Sequence, residues 1–397
     1  MRRLTPLAHL ISIWPPPQNT PPIRNERDLT SDRANAPLKI SFLIHRPSMS
    51  GGARVIARYA RMLTQHGHEV FLTGLGAPAP SMTGRLRGLF SGAPKWKAPP
   101  SHYLLEGLDL KLVHGRNDLR AGDLPDADVV ISTFWRTAEW MERLPPEKGA
   151  RAYFVQGHEA AMPHTDKERA ARTYLIDATL IAVSGWLVDI LRETYGRDDV
   201  VHVANAVDVA AFAPQSARSI NRTPRVGFVG SRNKVKRIDL AIDACKILKS
   251  RFPDLGVSMF AAHAPDSSLG LPDWIDASVN PSQPEIAAIY GGCDAWLFTS
   301  DEEGYGLPML EAFAAGTPVV ARPAGAAPDL VTAENGALVD SDDPAPIAEA
   351  AARILSLAPD EWKKMSDAAI GTARARDWNE SFRKFEAVLY DVARKGP

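Results

Sequence analysis

The chain has 397 residues, 45% of them apolar, and its 46 basic and 47 acidic side chains leave a formal charge of −1. That length allows two or three domains of roughly 100–200 residues each, and near-neutrality removes any global pull toward nucleic acid or an anionic membrane. The two cysteines, Cys245 and Cys293, belong to no Cys-x-x-Cys or Cys/His metal pattern, which fits a reduced, cytoplasmic compartment.

Residues 1–37, with "WPPPQNTPPIRNERDLTSDRANAP", are rich in proline and polar side chains and read as a disordered arm. No run of about 18 apolar residues occurs, so no transmembrane helix is expected. From Leu38 onward short apolar runs alternate with amphipathic segments. "LKISFLIH" reads as a buried strand. "GGARVIARYARMLTQHG" follows as a helix, with Val55, Ile56, Tyr59, Ala60 and Leu63 on one face and Arg54, Arg58 and Arg61 on the other. "HEVFLTGL" is the next strand, giving a β-α-β unit with parallel strands. "SMTGRLRGLFSGAPKWKAPP" reads as a loop. "DADVVIST", "RAYFVQ", "TLIAVS" and "VVHVAN" are further strands, and "GWLVDILRETYG" is a helix. "FAPQSARSINRTP", with little apolar content, reads as a domain junction. The alternation then restarts: strand "RVGFVGS", helix "DLAIDACKILKSRF", strand "GVSMFAA", helix "QPEIAAIYGG", strand "DAWLFTS", helix "LPMLEAFAAG", strand "PVVAR", and helices to the end. Two successive doubly wound α/β domains are implied, over residues 38–215 and 216–378, with 379–397 as a closing helix.

The stretch "SDEEGYGLPMLEAFAAGTPVVA" carries the most chemistry. Glu303 lies in a loop and Glu311 in the helix that follows it. Pro308 suits the first helical turn, where its missing N–H costs nothing. Gly304 and Gly306 let the loop turn sharply and approach a ligand closely. The first-turn amides form an anion site, and each carboxylate can accept two hydroxyl hydrogens. One element can therefore hold a phosphate and two diols, the parts of a nucleotide sugar. The bland alternative is a capped helix start with two surface acids.

"EGYGLPMLEAFAAGTPVV" matches every fixed position of the E-x7-E signature of the large retaining family 4 of GT-B glycosyltransferases, also called glycosyl transferases group 1, and the chain resembles that family over roughly residues 38–395. The resemblance implies two Rossmann-like domains facing across a cleft, and a metal-independent enzyme that needs no cofactor beyond its nucleotide-sugar co-substrate. It implies ribose binding by Glu311, donor-sugar contact by Glu303, and sugar and diphosphate contact by the amides of Tyr305, Gly306 and Leu307. "VGSRNKVKRIDLAIDA" is similar to the family's G-R-x-x-x-x-K-G-x-D segment, which puts Lys236 on the lysine that neutralises the donor diphosphate. Arg232 stands one residue after the family's arginine, where Ser231 stands, and Arg237 replaces the family's glycine. Gly51 and Gly52 resemble the glycine pair that approaches the diphosphate from the first domain. His158 is near the family's histidine, which relatives with "Q-H-Y-E" would place at Gly157, and Glu159 is a second contact candidate. A structural histidine and a tight-turn glycine pair remain open as plainer readings.

Asp126 and Asp128 form a D-x-D, but before a strand rather than after one, so metal binding is not expected there. Asp340–Asp343 reads as a helix cap. The loop Ser81–Pro100 mixes Arg85, Arg87, Lys95 and Lys97 with Leu86, Phe90 and Trp96, a mixture suited to an acceptor or to peripheral contact with the inner face of a membrane. The resulting expectation is a retaining transfer of sugar to a glycan or lipid-linked acceptor in cell-surface polysaccharide or glycoconjugate synthesis. The alternatives are a sugar-nucleotide epimerase and a non-catalytic glycan- or nucleotide-binding module. No G-x-G-x-x-G opens a helix after a first strand, which disfavours a nicotinamide dehydrogenase, and a neutral chain disfavours nucleic-acid binding.

Overall fold

The computed structural model describes residues 36–76, 101–163, 165–214, 218–221, 223–264 and 270–397. The proline-rich arm up to residue 35, the basic-aromatic loop Ser81–Pro100 and part of the junction after Phe212 lie outside the described residues.

The chain forms two compact units. The first comprises residues up to Val183, Leu187–Val203 and Phe382–Pro397; the second comprises Ser184–Trp186 and Ala204–Ser381. In the first unit seven parallel strands run in the order β3-β2-β1-β4-β5-β6-β7. They are β1 (Lys39–Ile44), β2 (Glu69–Leu75), β3 (Leu110–Val113), β4 (Val129–Ser132), β5 (Ala150–Val155), β6 (Thr179–Ala182) and β7 (Val201–His202). Strand β1 pairs with β2, setting Ile40 opposite Val70 and Phe42 opposite Leu72. Its residues from Ile40 to Ile44 are all buried, because helices cover both faces of a parallel sheet and leave no polar side. The helix Gly51–Gln65 buries Val55, Ile56, Tyr59, Ala60 and Leu63, the face its apolar spacing marks.

The second unit has six parallel strands in the order β10-β9-β8-β11-β12-β13: β8 (Arg225–Gly230), β9 (Gly256–Ala261), β10 (Ile275–Val279), β11 (Ala295–Phe298), β12 (Val319–Ala321) and β13 (Gly336–Leu338). The helices Ile238–Arg251 and Pro344–Leu355 close one side of its core, with Trp362 beneath them. In both sheets the first strand sits inside, and the chain winds outward one way before returning to wind the other. The two α/β units are therefore the doubly wound fold that the alternation implies.

The periodicity does not reveal β3, β10 and β13, and each is a short strand at a sheet edge. The final helix, Trp378–Lys395, gives its residues from Phe382 onward to the first unit. Phe385 stacks on Tyr59 with ring centroids 4.3 Å apart and meets Phe154 at 5.2 Å. His68 and Glu386 hydrogen-bond at 3.0 Å beside them. Among the described residues no helix is long and apolar enough to cross a membrane.

Phe385 is fully buried, so Phe385→Ala leaves a cavity under Tyr59 and is expected to cost about 3–5 kcal/mol. Equilibrium urea unfolding, followed by a probe in the first unit, measures it.

Candidate functional site

In the second unit β8 and β11 are hydrogen-bonded neighbours, with Trp296 opposite Gly227 and Leu297 opposite Phe228. From β8 the chain goes to β9; from β11 it goes to β12, on the other side. The loops at their C-terminal ends thus diverge and open a gap, the usual ligand crevice of such sheets. Lys236 and Glu303 occupy those two loops.

The turn Lys234–Lys236 is capped by Asn233, whose side chain accepts from the Val235 amide at 3.1 Å. Lys236 Nζ donates to Glu303 Oε1 at 2.5 Å, and Ser300 Oγ donates to the same oxygen at 2.8 Å. Behind this pair the two loops are joined by main chain. Asp301 N donates to the Val235 carbonyl at 2.8 Å, and Thr299 Oγ1 lies 3.1 and 3.0 Å from the carbonyls of Lys236 and Arg237. The Lys236 side chain is 30% exposed and that of Glu303 11%, so both charges lie near the surface while sheltered enough to attract strongly.

Gly306 begins the helix Leu307–Ala314 at φ 99°, and Pro308 lies in its first turn. A side chain at Gly306 would be excluded twice, because the left-handed backbone disfavours one and a Cβ would lie 2.8 Å from the Phe298 ring. In the first turn Pro308 carries no N–H and Met309 N donates to the Gly306 carbonyl at 3.0 Å, so the amides at the helix mouth are those of Gly306 and Leu307. Glu311, on the second turn, is buried and accepts from the Tyr290 hydroxyl at 3.0 Å. Tyr290 is held by Trp296, Phe260 and Phe212. Tyr305 is buried, and burial pushes its hydroxyl pKa up to about 12. Its carbonyl accepts from Ala326 N at 2.8 Å. Gly325 presses on the same loop: at φ 59°, a Cβ there would lie 2.6 Å from the Tyr305 carbonyl and 2.8 Å from Glu303 Cβ. Tyr290, Thr299, Ser300 and Gly325 escape a reading of the sequence, since no local pattern ties them to the two glutamates. Arg232 turns elsewhere, with Nε donating to the Ala264 carbonyl at 3.0 Å. Arg237 has φ 46°, the left-handed conformation that explains a glycine in related sequences.

In the first unit Gly51 and Gly52 open the helix Gly51–Gln65, whose cap Ser50 accepts from Ala53 N at 3.2 Å. A Cβ on Gly52 would lie 3.5 Å from the Gln156 amide group, so the glycine pair and the end of β5 are close neighbours. His158 follows β5, with Nε2 2.8 Å from the Tyr195 hydroxyl. Burial lowers its pKa, which favours the neutral ring. Glu159 turns inward instead: Oε2 accepts from Trp135 N at 2.6 Å and from the Tyr153 hydroxyl at 2.7 Å. Burial raises its pKa from the ordinary 4.5 to about 8. The Asp126–Asp128 pair sits at the N-terminal end of the central strand β4, where Asp126 accepts from Lys148 Nζ and Asp128 from Lys39 N, each at 2.7 Å. Asp343 caps the helix Pro344–Leu355 by accepting from Ala345 N at 2.9 Å, as its sequence context indicates.

Residues 211–372 match the family described as glycosyl transferases group 1. D-inositol 3-phosphate glycosyltransferase from Corynebacterium kroppenstedtii is 30% identical over 223 residues, covering 49% of each chain. The counterpart from Paenarthrobacter aurescens is 27% identical over 343 residues, covering 76% of this chain and 83% of its own. The chain thus spans about half the length of the first of these relatives. Sucrose-phosphate synthase from Thermosynechococcus elongatus superposes with a TM-score of 0.68 at 14% identity, over 90% of this chain and 100% of its own. HepE from Anabaena, solved with UDP and glucose, gives 0.67 at 14% identity, over 89% and 100%. The fold is therefore GT-B, and the match to glycosyl transferases group 1 falls within the second unit.

Two outcomes are expected. Gly325→Ala should push the Glu303 loop and destabilise the protein by about 1–3 kcal/mol, measured by chemical denaturation. The folded protein holds the Glu159 proton more tightly than the unfolded chain does, so stability should fall as pH rises from 4.5 through about 8. Glu159→Gln removes this titration while keeping an acceptor for Trp135 and Tyr153. Its stability should therefore decline less than that of the wild type between urea unfolding at pH 5 and at pH 8.

Proposed function

We propose that this chain, whose residues 211–372 form a glycosyl transferases group 1 domain, is a retaining glycosyltransferase that moves a sugar from a nucleoside-diphosphate sugar to a glycan or lipid-linked acceptor. The observation that carries the reading is the meeting of Lys236 and Glu303 at 2.5 Å beside the mouth of the Gly306-capped helix. A cation, a carboxylate and the amides of Gly306 and Leu307 in one place match the two polar parts of a donor, its diphosphate and its sugar hydroxyls.

In this reading the bond between the anomeric carbon and the phosphate oxygen breaks, and negative charge grows on the departing diphosphate. The Lys236 ammonium and the first-turn amides near Gly306 and Leu307 stabilise that charge where it develops. Glu303 accepts hydrogen bonds from the donor sugar. Glu311, steadied by Tyr290, accepts from the ribose diol. The acceptor hydroxyl attacks from the face the diphosphate leaves, and its proton passes to the departing phosphate oxygen. His158, in its neutral form, and the Gly51–Gly52 main chain are assigned to a sugar hydroxyl and the phosphates. Arg232 has a weaker claim, since it is engaged by Ala264. HepE was solved with UDP and glucose, which makes uridine nucleotides the first donors to test. The loop Ser81–Pro100 is assigned to the acceptor side and to any peripheral membrane contact.

A thermal-shift panel of UDP-, GDP-, ADP- and dTDP-sugars tests the reading. One donor is expected to stabilise the protein, by about 2.7 kcal/mol at a hundredfold excess over its dissociation constant. Glu311→Ala should abolish that shift, and Lys236→Ala should lower turnover about a hundredfold. A wild-type shift in Glu311→Ala refutes the assignment. Donor turnover that proceeds without any acceptor points to epimerisation instead.

A further inference from the structure

Arg237, immediately after the candidate cation Lys236, is one of only two described non-glycine residues with positive φ, at φ 46° and ψ 49°. That backbone costs a residue with a Cβ about 1–2 kcal/mol, and glycine would adopt it freely. The arginine must return something for that cost. Its guanidinium reaches three carboxylates: Nε lies 3.2 Å from Asp239, and Nη1 lies 3.1 Å from Asp301 and 3.0 Å from Asp342. Arg322 faces the same two outer acids, meeting Asp301 and lying 2.9 Å from Asp342. Its side chain is only 11% exposed.

The members come from four neighbouring strand ends. Arg237 follows β8, Asp301 follows β11, Arg322 follows β12 and Asp342 follows β13. Arg322 is itself pinned to β11, because its amide donates to the Phe298 carbonyl at 2.9 Å. The ring of charges therefore ties the Lys236 turn to the ends of β11, β12 and β13. Opposite charges around a shared pair of acids hold position better than a single exposed pair, which contributes little. Arginine's planar fork holds several acceptors in fixed directions, whereas lysine's ammonium is a compact charge on a flexible stem.

We propose that Arg237 and Arg322, locked through Asp301 and Asp342, are positioning residues that hold Lys236 at the donor diphosphate. This rests on the donor-site reading above. Arg237 acts through Lys236 and does not itself touch the ligand. Its removal should be felt where the terminal phosphate binds and not at the rest of the nucleotide.

The test is a double-mutant cycle by isothermal titration calorimetry. The probes are the tightest binder among UDP, GDP and ADP, together with its monophosphate. Arg237→Gly relieves the left-handed backbone, so it is expected to fold. It should weaken the diphosphate about tenfold and the monophosphate less than about twofold, and in a Lys236→Ala background it should change neither by more than about twofold. Asp342→Asn, which leaves the main chain at Arg237 untouched, should give the same pattern at about threefold and serves if Arg237→Gly does not fold. Equal losses with and without Lys236 would mean direct ligand contact and overturn the proposal, as would unchanged diphosphate affinity in both variants. If the wild type binds no nucleoside diphosphate, or Lys236→Ala binds as well as the wild type, the donor-site reading fails and the lock falls with it. Normal loss in Lys236→Ala without loss in the two lock variants defeats the lock alone.

Discussion

Two chain segments that leave adjacent strands in opposite directions must diverge, and Lys236 and Glu303 meet across that divergence. Their contact at 2.5 Å spans residues 67 apart in sequence, so neither side chain can be placed without the β8–β11 pairing. The sheet order supplies the proximity. The capped turn at Asn233 and the bonds from Thr299 and Asp301 supply the orientation. A lysine whose charge is already answered by a carboxylate can stay in a sheltered position without the heavy cost of burying a lone ion. An anion arriving there meets a cation that is in place.

The two glutamates of the E-x7-E stretch live in different surroundings. Glu303 is tied to a cation and to the Ser300 hydroxyl. Glu311 is tied to a phenol embedded in aromatic rings. A loop carries the first, and a helix packed on the core carries the second. The loop gains its rigidity from the neighbouring connection, where Gly325 and Ala326 lie against Tyr305. In the first unit Glu159 shows how adjacency in sequence misleads. His158 remains half-buried beside Tyr195, while the next carboxylate is committed to the interior.

The sequence made the inner part of both sheets legible, because strands buried on both faces read as unbroken apolar runs. Pro308 and the glycine at 306 likewise announced a helix start. Three of the four edge strands, β3, β10 and β13, stayed hidden for the same reason in reverse. In β10, "IDASV", only the first residue is buried, and β3 has no fully buried residue. Neither carries the apolar signal of an inner strand. At the site, the two acids and Lys236 were visible as a motif. Tyr290, Gly325 and Arg322 were not, because each acts through a neighbour that only the folded sheet brings near. The departure of Arg237 from a glycine was readable, but its meaning needed the three acids that face it.

The final helix adds a constraint on how the protein is made. Tyr59 and Phe154 lie early in the chain, and their cover, Phe385, is near the other end. Translation proceeds in one direction, and domains generally form as they emerge. Here the earlier unit keeps an aromatic patch open until Phe385 has been synthesised. The later unit, which needs nothing beyond Ser381, can close first. Assembly then runs against the order of synthesis, and any premature stop before Phe385 would leave a sticky, unfinished first half beside a finished second one.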